Sequence, residues 1–80
     1  MKRNAVVKVY STPTCPHCRK ARRFLEENGI GFEEYNVLED QTARDEMVRI
    51  SGQMGVPVIV INKEVIVGFN EGIIKNRLGI

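Results

Sequence analysis

The 80-residue sequence predicts an α/β fold in the order β-α-β-α-β-β-α, with a mixed four-stranded sheet flanked by helices. Three observations carry this. Short runs rich in β-branched and aromatic residues alternate with longer runs whose apolar residues recur at helical spacing. The opening strand–helix–strand order calls for a parallel pair joined by a crossover helix. Two apolar runs near the end, separated by Asn62-Lys63, read as an antiparallel hairpin.

Val6, Val7, Val9 and Tyr10 make the first strand, which Ser11-Thr12-Pro13-Thr14 breaks. A helix fits Cys15 to Asn28, where Cys18, Ala21 and Leu25 share one face with Phe24 beside them. Pro16 suits the first helical position and Gly29 a left-handed stop. Phe32 to Val37 alternates weakly and reads as the second strand. Leu38-Glu39-Asp40 leads into a second helix with Ala43, Met47 and Ile50 on one face, ended by Ser51-Gly52. Pro57 to Ile61 is apolar on both faces, as a central strand should be. Val65-Ile66-Val67 completes the hairpin, Gly68 closes it, and Asn70 caps a last helix carrying Ile73, Ile74 and Leu78.

Composition bounds the function. Apolar residues at 42% and charged residues at 28% fit one globular domain over 1–80 and exclude coiled coil, collagen and disorder. Twelve basic against ten acidic residues leave a net charge of +2, too slight to imply a nucleic-acid partner. Two cysteines and one histidine cannot complete a four-ligand structural zinc site. The basic start Met1-Lys2-Arg3 runs into Val6-Val7-Lys8 without a signal-peptide core, and no apolar run is long enough for a bilayer. The expected home is the cytoplasm, where thiols stay reduced, and nothing demands more than a monomer.

Reactive chemistry concentrates in Cys15-Pro16-His17-Cys18, at a strand-to-helix junction. Residues three apart on a helical turn are neighbours, so the two sulfurs can approach bonding distance. Cys15 falls at the exposed helix start, where free N–H groups and the macrodipole stabilise a thiolate. Cys18 points inward with Ala21 and Leu25 and stays a shielded thiol. A disulfide closing so small a loop would do little for stability. Two buried reduced thiols, or a metal half-site completed across a dimer or by an outside ligand, are the other readings. Dithiol exchange is favoured because the C-x-x-C lies within a βαβ pattern. His17 is either a bystander on the first turn or, as favoured here, a modest stabiliser of the neighbouring thiolate. Arg19, Lys20, Arg22 and Arg23 read as a solvated face paired with Glu26, close enough to Cys15 to attract anions as well. Val56-Pro57 supports two readings: a plain strand start, or a cis peptide whose Val56 backbone is free to pair with an extended substrate.

Over nearly its whole length the chain resembles the glutaredoxin family of the thioredoxin fold. The motifs are Val9-Tyr10-Ser11-Thr12-Pro13-Thr14-Cys15-Pro16-His17-Cys18, Gly55-Val56-Pro57-Val58 and Val67-Gly68-Phe69-Asn70. The resemblance implies a nucleophilic Cys15, a resolving Cys18 and a cis Pro57 beside them. It also implies a substrate surface made by Thr14, Val56, Pro57, Gly68, Phe69 and Asn70. Pro16 and His17 would tune the redox poise; the same pair occurs in the strongly oxidising periplasmic thiol oxidase of bacteria, so a potential above thioredoxin's is expected. Three departures stand out: Thr12 where the family usually has lysine, His17 where it has tyrosine, and Gly55 where it has threonine. Gly68-Phe69 looks more like the small redoxins that reduce ribonucleotide reductase and are recharged by thioredoxin reductase.

The function expected is disulfide reduction by thiol–disulfide exchange on disulfide-containing proteins or glutathione mixed disulfides. No bound cofactor or metal is expected; glutathione, or thioredoxin reductase with NADPH, would serve as external reductant. The alternative is a module holding an iron–sulfur cluster through Cys15 and outside thiols. The ready second thiol at Cys18 speaks against it.

Overall fold

The computed structural model describes residues 6–80, so the basic start over 1–5, read above as lacking a signal-peptide core, lies outside the described residues. Seven elements follow in the expected order: β1 (Val7–Ser11), α1 (Pro16–Glu27), β2 (Glu33–Asn36), α2 (Gln41–Ser51), β3 (Val58–Ile61), β4 (Glu64–Val67) and α3 (Glu71–Leu78). The sheet order is β2-β1-β3-β4. β1 runs parallel to β2 and antiparallel to β3, and β3 runs antiparallel to β4.

Strand alternation explains the two sides of the core. Val7 and Val9 of β1, Ile59 and Ile61 of β3 and Ile66 of β4 pack with Ala21 and Leu25 of α1 and Ile74 and Leu78 of α3. Tyr10 and Val58, on the opposite face, pack with Ala43 and Met47 of α2. An interior strand therefore has no water-facing side along most of its length, which is why β3 reads Val-Ile-Val-Ile. Full burial of a side chain such as Leu25 contributes roughly 2 kcal/mol.

The helix boundaries rest on side-chain and backbone caps. Asp40 Oδ1 accepts the Ala43 N–H at 3.0 Å, and Asn70 Oδ1 accepts the Ile73 N–H at 3.1 Å. Cys15 and Asn28, expected inside the first helix, are its two caps. In the hairpin turn Asn62 and Lys63 both adopt left-handed conformations, with φ of 50° and 78°. That pair of angles matches the right-handed twist of the flanking strands.

Several expectations are corrected. Of the three apolar residues expected on α3, Ile73 is 41% exposed, because only Ile74 and Leu78, four apart, share the stripe that meets the sheet. Val6 lies before β1 and is exposed, whereas Ser11, expected to break the strand, is its last residue and pairs with Asn36 of β2. The second strand is shorter than Phe32–Val37, since its register against β1 runs only from Glu33 to Asn36. Ile50 is half-buried rather than core.

Candidate functional site

β1, an interior strand, ends at Ser11, and Thr12-Pro13-Thr14 turns the chain into α1, with the Cys15 N–H 3.4 Å from the Thr12 carbonyl. Cys15 is then the N-cap, in extended conformation, and Pro16 follows at the first helical position, where no N–H is needed. Its sulfur takes the role usually given to a serine or aspartate oxygen: Sγ accepts the Cys18 N–H at 3.2 Å. The Cys18 N–H and the positive end of the helix dipole thus face this sulfur.

Cys18, one turn on, is completely buried, as its spacing with Ala21 and Leu25 predicts. Both cysteines are free thiols. Burial pushes the Cys18 thiol up to about 12, with a further rise from its hydrogen bond to Cys15. The pair is unequal: Cys15 is partly exposed, and Cys18 is sealed.

From 41 residues away the chain returns to the same sulfur. The Val56–Pro57 peptide is cis, and the Cys15 thiol donates to the Val56 carbonyl at 3.8 Å. Pro57 is fully buried, while Val56 is half-buried. Behind them the Gly68 N–H donates to the Pro57 carbonyl at 2.8 Å, with Gly68 in a left-handed conformation (φ 85°). Thr14, Pro16 and His17 are exposed around the Cys15 sulfur. Phe69 turns inward against the Phe24 ring, with centroids 5.9 Å apart. The Asn70 side-chain oxygen is occupied by the cap of α3. Cys15 therefore meets both Cys18 and Val56, with Pro57 next in the chain and Gly68 one hydrogen bond from Pro57, whereas Phe69 packs on Phe24 and Asn70 caps α3.

The basic run on α1 divides differently from expectation. Arg22 pairs with Glu34 of β2 at 3.0 Å rather than with Glu26, and Glu34 also accepts the Ser11 hydroxyl at 2.8 Å. Arg19, Lys20 and Arg23, with Pro16, line a groove of about 220 Å³. Sequence reasoning missed Glu34, whose partners lie on two other elements. It also missed Gln53, which stands alone in a loop and bonds to Gly55.

A four-stranded mixed sheet with three helices, a Cys-x-x-Cys pair at the start of α1 and a proline loop against its first sulfur define a thioredoxin-like fold. The Glutaredoxin family model matches residues 7–66. A glutaredoxin-like 8.6 kDa protein in the rubredoxin operon of Clostridium pasteurianum is 48% identical over 66 residues, 82% of this chain and 88% of that protein. Among solved structures, a point mutant of the thioredoxin-like protein BC3987 superimposes with a TM-score of 0.88 at 32% identity, covering 92% of this chain and 95% of the other. The glutaredoxin-like protein NrdH-redoxin of Escherichia coli, described as having a thioredoxin-like activity profile, superimposes with a TM-score of 0.77 at 27% identity, covering 88% and 91%. The chain belongs to the glutaredoxin family of redox proteins.

Proposed function

We propose that the protein is a dithiol–disulfide oxidoreductase in which Cys15 attacks and Cys18 resolves. The observation that carries this reading is the inequality of the two thiols: one partly exposed and accepting a helix N–H, the other sealed, with burial pushing its pKa up. The Cys15 thiolate attacks one sulfur of a substrate disulfide, forming a Cys15–substrate disulfide and releasing a substrate thiolate. Cys18 then loses its proton and attacks the Cys15 sulfur, forming the Cys15–Cys18 disulfide and releasing the second substrate thiolate. Two electrons pass from the dithiol to the substrate.

The order of events follows from what holds Cys18 protonated. Besides burial, Cys15 itself raises Cys18, through their hydrogen bond and through charge. Once Cys15 is tied up in a mixed disulfide its charge is gone, which makes Cys18 easier to ionise although burial, the larger cause, remains. Substrates in this reading are disulfide-containing proteins, with a ribonucleotide reductase among the candidates, acted on in the cytoplasm by a monomer with no resident cofactor. Recharging by thioredoxin reductase and NADPH is favoured over glutathione. Thr12 stands where the family usually offers a lysine to a glutathione carboxylate, and the redoxin-type Gly68-Phe69 pair supports the same choice.

Insulin reduction, driven in turn by NADPH with thioredoxin reductase and by glutathione with glutathione reductase, tests both parts. Cys15→Ser is expected to lose all activity and Cys18→Ser to accumulate mixed disulfides with protein substrates. Full activity in Cys15→Ser would sink the mechanism, and faster recharging by glutathione would sink the choice of reductant.

A further inference from the structure

The segment between α2 and the proline loop is held by the side chains of Ser51 and Gln53. Gly52 ends α2 in a left-handed conformation (φ 74°), and Gln53 follows. The Gly55 N–H donates to Gln53 Oε1 at 2.6 Å, while Gln53 Nε2 donates to the Gly55 carbonyl at 3.1 Å. The same amide nitrogen reaches Ser51 Oγ at 3.2 Å, and Ser51 Oγ lies 2.6 Å from the Met47 carbonyl at the end of α2. Both backbone groups of Gly55 are thus satisfied by a side chain that acts as a one-residue strand partner, anchored through Ser51 to the helix. The next residue is Val56, whose carbonyl meets the Cys15 sulfur.

We infer that Gln53 is a positioning residue: its amide fixes the Gly55–Val56 peptide so that the Val56 backbone faces a peptide joined to Cys15. This deepens the function proposed above and rests on it. The geometry also accounts for glycine at 55. A Cβ there would sit 2.7 Å from Gln53 Oε1, although Gly55 has no left-handed φ that would exclude other residues. Glycine is present because the amide occupies the space, so Gln53 and Gly55 form one unit. Since Oε1 is the end of a flexible side chain, Gly55→Ala displaces the amide without disturbing the fold.

The test compares two disulfides reacting with the reduced protein in a Cys18→Ser background, where the reaction stops at the mixed disulfide. One is a disulfide-linked peptide whose backbone can pair with Val56; the other is dithiobis(nitrobenzoate), which has no backbone. Gln53→Ala and Gly55→Ala are each expected to slow the peptide reaction about tenfold, the scale of one or two backbone hydrogen bonds, and to leave the aromatic disulfide within about twofold. The double variant should be no slower than either single one, because each removes the same clamp. Equal slowing with both disulfides, no slowing with the peptide, or additive effects would each overturn the assignment. A Cys15 that reacts with neither disulfide in the parent would instead overturn the proposed function, so the two failures are distinguishable.

Discussion

The sealed second thiol has a thermodynamic signature that alkaline titration reads directly. Cys18 rises from 9.0 to about 12 in the folded chain, chiefly through burial. Between those values the unfolded chain loses the proton and the folded chain keeps it. Stability is therefore fully present below pH 9 and falls as pH rises, since the folded state binds one proton more than the unfolded one. The slope for one such group is about 1.4 kcal/mol per pH unit. Tyr10 follows the same logic from 10.0 to about 12, again chiefly through burial, so the window from 9 to 10 belongs to Cys18 alone of the two. Urea unfolding of the reduced protein at half-unit steps from pH 7 to 10.5 should show the loss setting in near pH 9. Cys18→Ala should remove that loss up to pH 10 while lowering stability at pH 7. Identical pH slopes in parent and variant between 9 and 10 would refute the claim that the fold keeps Cys18 protonated.

Other outcomes follow from neighbouring features. Iodoacetamide at pH 7.5 should place a single adduct on Cys15, with Cys18 labelled only after denaturation; peptide mapping by mass spectrometry checks this. Glu34→Ala leaves the buried Ser11 hydroxyl without its acceptor and Arg22 without its carboxylate, and should cost about 1–3 kcal/mol in chemical denaturation. Glu34→Gln, which keeps an acceptor, should recover more than half of that loss. His17→Tyr should lower the redox potential measured against a glutathione buffer, each tenfold change in the exchange constant appearing as about 30 mV. An unchanged or raised potential would remove His17 from the tuning of the dithiol.

The order of elements is legible in the sequence because local period decides it. Cys18, Ala21 and Leu25 announce a buried helical stripe, Asp40 and Asn70 announce helix starts, and Asn62-Lys63 announces a two-residue turn. The dithiol is legible for the same reason, being contained in four consecutive residues. What local pattern does not reveal is what depends on distant partners. Helical spacing pairs Arg22 with Glu26 one turn along, but Glu34 sits across the parallel pair of β1 and β2, already holding Ser11. For Ile73, apolar character alone suggests the core, whereas its angle around the helix turns it outward. The two readings of Val56-Pro57 are not separable locally. Gln53, polar and isolated in a loop, carries no pattern at all; only its two bonds to Gly55 reveal what it does.

The reach from Cys15 to Val56 spans 41 residues and crosses α1, β2 and α2 before the chain comes back. A growing chain that has emerged through α2 already carries both thiols and β2, yet β3, the antiparallel partner of β1, and the carbonyl that meets the sulfur have still to be made. The bond from the Cys18 N–H to the Cys15 sulfur is local to α1, whereas the bond from that sulfur to the Val56 carbonyl needs the later segment. The surroundings of the Cys15 sulfur are in that sense completed only by the second half of the chain.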